Sequence, residues 1–151
     1  MPTYVCQLPP DRFNAEQKEQ IATAISQRHS EATGAPPFFV QVIVDETQAN
    51  RYLGGRLTGE HVWVRGDIRA GRTEGARTQL MLKIMQDVAR ITGITSDNIW
   101  VYVCNLEPTD MVEYGHVLPR PGQESAWFDT LPVKLQAYLR SLGVTRENFT
   151  L

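Results

Sequence analysis

The sequence predicts a two-layer α+β domain in which two tandem β-α-β units form one four-stranded sheet with two long helices on one face. Three observations carry this expectation. The order strand, helix, strand occurs twice, at about 2–45 and 61–104. Each helical stretch lies between a capping residue and a glycine, Asn14 to Gly34 and Thr73 to Gly93. The 151 residues, 42% hydrophobic, suffice for one substantial core and do not call for a second. The chain is therefore read as one domain, 1–151, with a C-terminal cover segment at 105–151.

The first strand spans Pro2 to Leu8, holds Tyr4, Val5 and Cys6, and stops at Pro9 and Pro10, which cannot continue a ladder. Asn14 followed by Gln17 forms a capping box for a helix of about 14–33, with Ile21, Ala22, Ile25, Arg28, His29 and Ala32 at helical spacing. Phe38 to Val44 reads as a buried strand, with Phe38, Val40, Val42 and Val44 on one face and Phe39 and Ile43 on the other. The polar stretch from Asp45 to Glu60 contains Gly54, Gly55 and Gly59 and leaves room for a short hairpin. His61 to Arg65 is the third strand, and Thr73 caps a second helix with Leu80, Met81, Ile84, Met85, Val88 and Ile91. Ile99 to Val103 is the fourth strand. Beyond it, Pro108, Pro119 and Pro121 mark turns before a shorter helical pattern of Leu131, Leu135, Tyr138, Leu139 and Leu142.

A right-handed crossover sets the side on which each helix packs, so both long helices cover the same face. The strands are apolar on their other face too. That face predicts burial against further copies of the chain, in a closed symmetric oligomer.

Charge and composition exclude several classes of function. Fifteen basic and 17 acidic residues give a net charge of -2 with no basic stripe, which argues against nucleic acid or a membrane surface as partner. Apolar runs end far short of the roughly 20 residues needed to span a bilayer, and no signal-peptide pattern opens the chain. With only Cys6 and Cys104, which read as small apolar residues, the expected compartment is the reducing cytoplasm. His29, His61 and His116 lack ligand spacing, so no metal site is expected.

The residues able to carry chemistry are few. Pro2 follows an initiator methionine that aminopeptidases remove, which would leave a secondary amine able to act as acid or base. Its plainer role is N-terminal stability. Arg69 and Arg72 precede the second helix, where N–H groups and the helix dipole favour an anion; a solvated basic loop is the alternative. His29 lies near the buried face of its helix, as a core histidine also would. Tyr102 alternates with Trp100 and Cys104, away from Ile99, Val101 and Val103, and could simply be a core residue. Glu113, flanked by apolar residues, has the setting of a general base or of a surface loop glutamate.

With these residues in this order, the chain resembles the cis-3-chloroacrylic acid dehalogenase family of the tautomerase superfamily. The resemblance covers almost the whole length. It rests on Met1-Pro2-Thr3-Tyr4, Arg69-Ala70-Gly71-Arg72, Ile99-Trp100-Val101-Tyr102, Met111-Val112-Glu113-Tyr114-Gly115 and Trp127-Phe128-Asp129. It implies a tautomerase fold of fused β-α-β pairs, a homotrimer, and no cofactor. It further implies that His29, Arg69 and Arg72 hold a small substrate carboxylate, Tyr102 and Glu113 activate water, and Pro2 delivers a proton. The implied activity is hydration or hydrolytic dehalogenation of a small unsaturated carboxylate. The alternatives are keto–enol tautomerisation of a 2-oxo acid such as phenylpyruvate, or a noncatalytic trimeric interaction protein.

Overall fold

The computed structural model describes residues 2–144; the expected removal of Met1 and the end of the cover segment, 145–151, lie outside the described residues. The main sheet contains β1 (Thr3–Gln7), β2 (Gln41–Asp45), β5 (Val62–Arg69) and β6 (Ile99–Leu106). Two small hairpins, β3 (Arg51–Leu53) with β4 (Arg56–Thr58) and β7 (Val112–Glu113) with β8 (His116–Val117), stand apart from it. The helices are α1 (Ala15–Thr33), α2 (Glu74–Thr92), α3 (Glu124–Thr130) and α4 (Val133–Ser141).

The sheet order is β2-β1-β5-β6, with β1 parallel to β2, β5 parallel to β6, and β1 antiparallel to β5 at the centre. Two strand–helix–strand units therefore meet side by side, as the repeat predicted. Both helices begin and end where local chemistry dictates. The Asn14 side chain accepts from the Gln17 N–H at 2.8 Å while the Gln17 side chain accepts from the Asn14 N–H at 3.1 Å. Gly34 and Gly93 close the two helices at φ 77° and 72°.

Alternation along the strands sends Tyr4, Cys6, Val62, Val64 and Ile68 against the helices, where they meet Ile21, Ile25, Leu80, Ile84 and Val88. On the opposite face Ile43, Trp100 and Tyr102 are between 41% and 50% exposed. A second cluster lies in the C-terminal cover, where Leu118, Phe128, Leu131, Leu139 and Val144 enclose Phe39. Among the described residues no helix is long and apolar enough to cross a membrane.

Three local expectations are corrected. The strand expected from Phe38 starts at Gln41, because Pro36 and Pro37 set a 3₁₀ turn over Pro37–Phe39. That turn leaves Phe38 exposed and sends Phe39 into the second cluster. The strand expected to stop at Arg65 runs on to Arg69, so Arg69 is a strand residue paired with Leu106 and not part of a loop. Finally, the helical pattern from Leu131 onward is α4, and a further short helix that the pattern did not include, α3, precedes it across Leu131 and Pro132.

Candidate functional site

Strand direction gathers most of the expected residues at one end of the sheet. β1 begins there, while β5, antiparallel to it, and β6, parallel to β5, both end there. Thr3 pairs with Asp67, which sets Pro2 beside Ile68, one residue before Arg69. Pro2 is buried, and its carbonyl accepts the Gln41 N–H at 3.0 Å.

α1 returns antiparallel to β1, and its last turns bring His29 down onto the start of that strand. His29 is 3% exposed, and its Nδ1 lies 2.8 Å from the Tyr4 hydroxyl, with the two rings edge-on at 5.7 Å. Gly66 makes this contact possible, because a Cβ there would stand 2.3 Å from the Tyr4 ring. Burial, then the positive charge of Arg72, pushes the His29 pKa down to about 4. Burial also raises the Tyr4 phenol well above its ordinary value. In the tautomer whose Nδ1 accepts from the Tyr4 phenol, a neutral imidazole carries its own hydrogen on Nε2, ready to donate.

Arg69 is almost wholly enclosed. Its two terminal nitrogens donate to the same Glu124 carboxylate oxygen at 3.2 and 3.1 Å, and one also donates to the Pro119 carbonyl at 3.0 Å. Arg72, three residues on and half-buried, is held below the ordinary guanidinium range by burial and then by the charge of Arg69, with Glu124 opposing. The electrostatic reach of Arg72 thus extends to His29 on one side and to the Arg69–Glu124 pair on the other.

Glu113 enters from the chain that follows β6. It sits in the β7–β8 hairpin opposite His116, and the turn uses Tyr114 and Gly115 at φ 52° and 80°. Positive φ at both central residues is the signature of a type I′ hairpin turn. The Tyr114 ring meets Tyr138 of α4 edge-on at 6.3 Å, which ties the hairpin to the cover.

Tyr102 stands apart. It pairs with Arg65 in mid-strand and points to the face away from the helices, edge-on to Trp63 at 5.9 Å. There it lines a cavity of about 320 Å³ with His61, Trp100 and the β3–β4 hairpin residues Tyr52 and Leu53. Strand spacing separates it from Pro2 by roughly 14 Å between Cα atoms. One chain brings Pro2, His29, Arg69 and Arg72 to a common end, with Glu113 on the segment beyond it, and leaves Tyr102 elsewhere.

Two residues with a part in this geometry escape a reading of the sequence. Tyr4 reads as a strand residue, and only its place two positions after Pro2, on the same face, hints at more. Glu124 lies 55 residues beyond Arg69 with no spacing to link them.

A family model described as "Putative oxalocrotonate tautomerase enzyme" matches residues 1–130. The crystal structure of N1, a member of the cis-3-chloroacrylic acid dehalogenase family, is similar at 35% identity and a TM-score of 0.83. That match covers 92% of this chain and 99% of that one. A fused 4-OT, solved as an asymmetric trimer, is similar in fold at 24% identity and a TM-score of 0.71, covering 76% of this chain and 94% of that one. The Toxoplasma gondii macrophage migration inhibitory factor shares the fold at 15% identity and a TM-score of 0.67, covering 77% of this chain and 99% of that one. No curated protein matches the sequence.

Proposed function

The chain belongs to the cis-3-chloroacrylic acid dehalogenase family of the tautomerase superfamily, and from that membership we propose that it hydrates small unsaturated carboxylates, with hydrolytic dehalogenation where the substrate carries a halogen. The observation that carries this reading is the buried His29, hydrogen-bonded to Tyr4 within the field of Arg72 at the sheet end where Pro2 lies. A carboxylate is the ligand that such a donor and cation pair recognises.

In this reading Met1 is removed, and the Pro2 amine is protonated. His29, Arg69 and Arg72 bind the carboxylate. Water, activated by Glu113 and Tyr102, adds its oxygen to the carbon β to the carboxylate. Pro2 gives a proton to the α carbon, and the binding cations stabilise the enediolate-like charge that develops. On a 3-haloacrylate the resulting halohydrin loses hydrogen halide to give malonate semialdehyde. No metal or organic cofactor enters the scheme. Because Tyr102 lies on the far face of its own chain, it must come from a neighbouring protomer. The proposed assembly is a homotrimer, the state in which the similar fused 4-OT was solved.

Incubation with cis-3-chloroacrylate and with propiolate tests the proposal, on protein shown by intact mass to lack Met1. Malonate semialdehyde from either supports it. Its absence from both rejects it.

The placement of Tyr102 favours a second reading, keto–enol tautomerisation of a 2-oxo acid, which needs no activated water. There Pro2 is neutral and acts as the base. A Pro2 pKa well above neutrality in a titration selects hydration, and one below it selects tautomerisation.

A further inference from the structure

We propose that Glu124 is a positioning residue of the anion site, fixing the Arg69 guanidinium and cancelling part of its charge so that a substrate carboxylate meets a pocket of moderated positive potential. The inference rests on the carboxylate-binding reading given above and adds to it a residue that sets affinity.

The geometry is specific. The Arg69 side chain is 2% exposed and that of Glu124 10%, so their attraction is little screened by solvent. Both terminal nitrogens of Arg69 converge on one carboxylate oxygen, and the Pro119 carbonyl takes a further N–H. The guanidinium is therefore locked in one orientation.

The support behind Glu124 is equally fixed. Phe128, one turn further along α3, is packed in the second hydrophobic cluster with Leu118 and Leu131. Trp127 donates its indole N–H to the Val117 carbonyl at 2.8 Å, joining α3 to the hairpin that carries Glu113.

Arg72 feels both members of the pair, with opposite signs. Removing the Glu124 charge raises the positive potential around the two guanidinium groups, giving a site that grips any carboxylate more tightly, product included. Glu124 thus trades ground-state affinity for release.

Propionate, a saturated carboxylate with nothing to hydrate, is the probe. Its dissociation constant is measured by NMR titration for the wild-type chain, Glu124→Gln, Glu124→Asp and Arg72→Ala, with melting curves for each. Glu124→Gln keeps the volume and an amide oxygen for Arg69, and it should tighten binding about five- to tenfold, more at low salt than at high. Glu124→Asp, which restores the charge, should restore the weaker binding. Glu124→Met supplies a second charge-free variant should the first fail to fold.

A folded charge-free variant that binds propionate no more tightly than wild type, where wild-type binding is lost in Arg72→Ala, overturns the role of Glu124 alone. Wild-type binding that is absent or indifferent to Arg72→Ala overturns the carboxylate site and this inference with it.

Discussion

A histidine buried to 3% exposure must either find a partner or lose its charge, and His29 does both. Tyr4→Phe keeps the ring over Gly66 but leaves Nδ1 buried with no donor, so stability should fall by about 1–3 kcal/mol. It should also lower kcat/KM toward carboxylates, and ¹⁵N shifts of His29 should report a mixture of tautomers. The pH dependence follows from the depressed pKa of about 4 against the ordinary value of 6.5. Between these values the unfolded chain binds the proton that the folded chain refuses, so stability rises with pH across that window and levels off above it. His29→Gln should flatten this slope in denaturant titrations run from pH 4 to 7. At this scale the sequence was only partly legible. Helical spacing placed His29 on the buried face, but the hydroxyl that turns its ring and the glutamate that holds Arg69 come from contacts across the fold.

Each long helix announces its ends in the chain, and the capping box at Asn14 and Gln17 forms both of its expected hydrogen bonds. The strands were less readable, because their limits depend on neighbours. β5 outruns its apolar pattern, continuing to Arg69 because β6 pairs with it that far. β2 falls short of its pattern because two prolines turn the chain first. Between the helices no spacing announces the Arg28–Asp87 bridge, in which Arg28 donates to Asp87 from Nε at 2.7 Å and from Nη2 at 3.4 Å, and Arg90 adds a third bond at 3.2 Å. Asp87 is 8% exposed, and the hydrogen bond from Arg28 holds its carboxyl below the usual range. Asp87→Asn should destabilise the protein by about 1–2 kcal/mol at neutral pH. A carboxyl with a depressed pKa stabilises the fold above its unfolded pKa, and this contribution is lost as pH falls through the folded value. The gap between variant and wild type should therefore narrow in acid, as thermal melts at several pH values would record.

At the scale of the whole molecule, a broad apolar face is left exposed among the described residues. Trp100 and Tyr102, 41% and 50% exposed, stand there with Ile43. Among the described residues, both outer strands of the sheet, β2 and β6, pair on one side only. The homotrimer proposed above would bury this face and bring Tyr102 to another protomer's Pro2. Light scattering should then give three times the protomer mass, and Trp100→Glu should shift it to one and abolish turnover with Pro2 intact. That face was legible in the sequence as apolar residues on both sides of the strands. The separation of Tyr102 from Pro2 was not, because register emerges only when strands pair.

The close fit of Tyr4 over Gly66 carries an evolutionary consequence. A methyl group at position 66 and a large ring at position 4 cannot occupy the same space, so the two sites cannot drift independently. Homologues that gain a side chain at 66 should have lost the aromatic ring at 4, and with it the hydroxyl facing His29. The two positions form a hereditary pair, and their covariation would mark which branches of the lineage keep an oriented histidine.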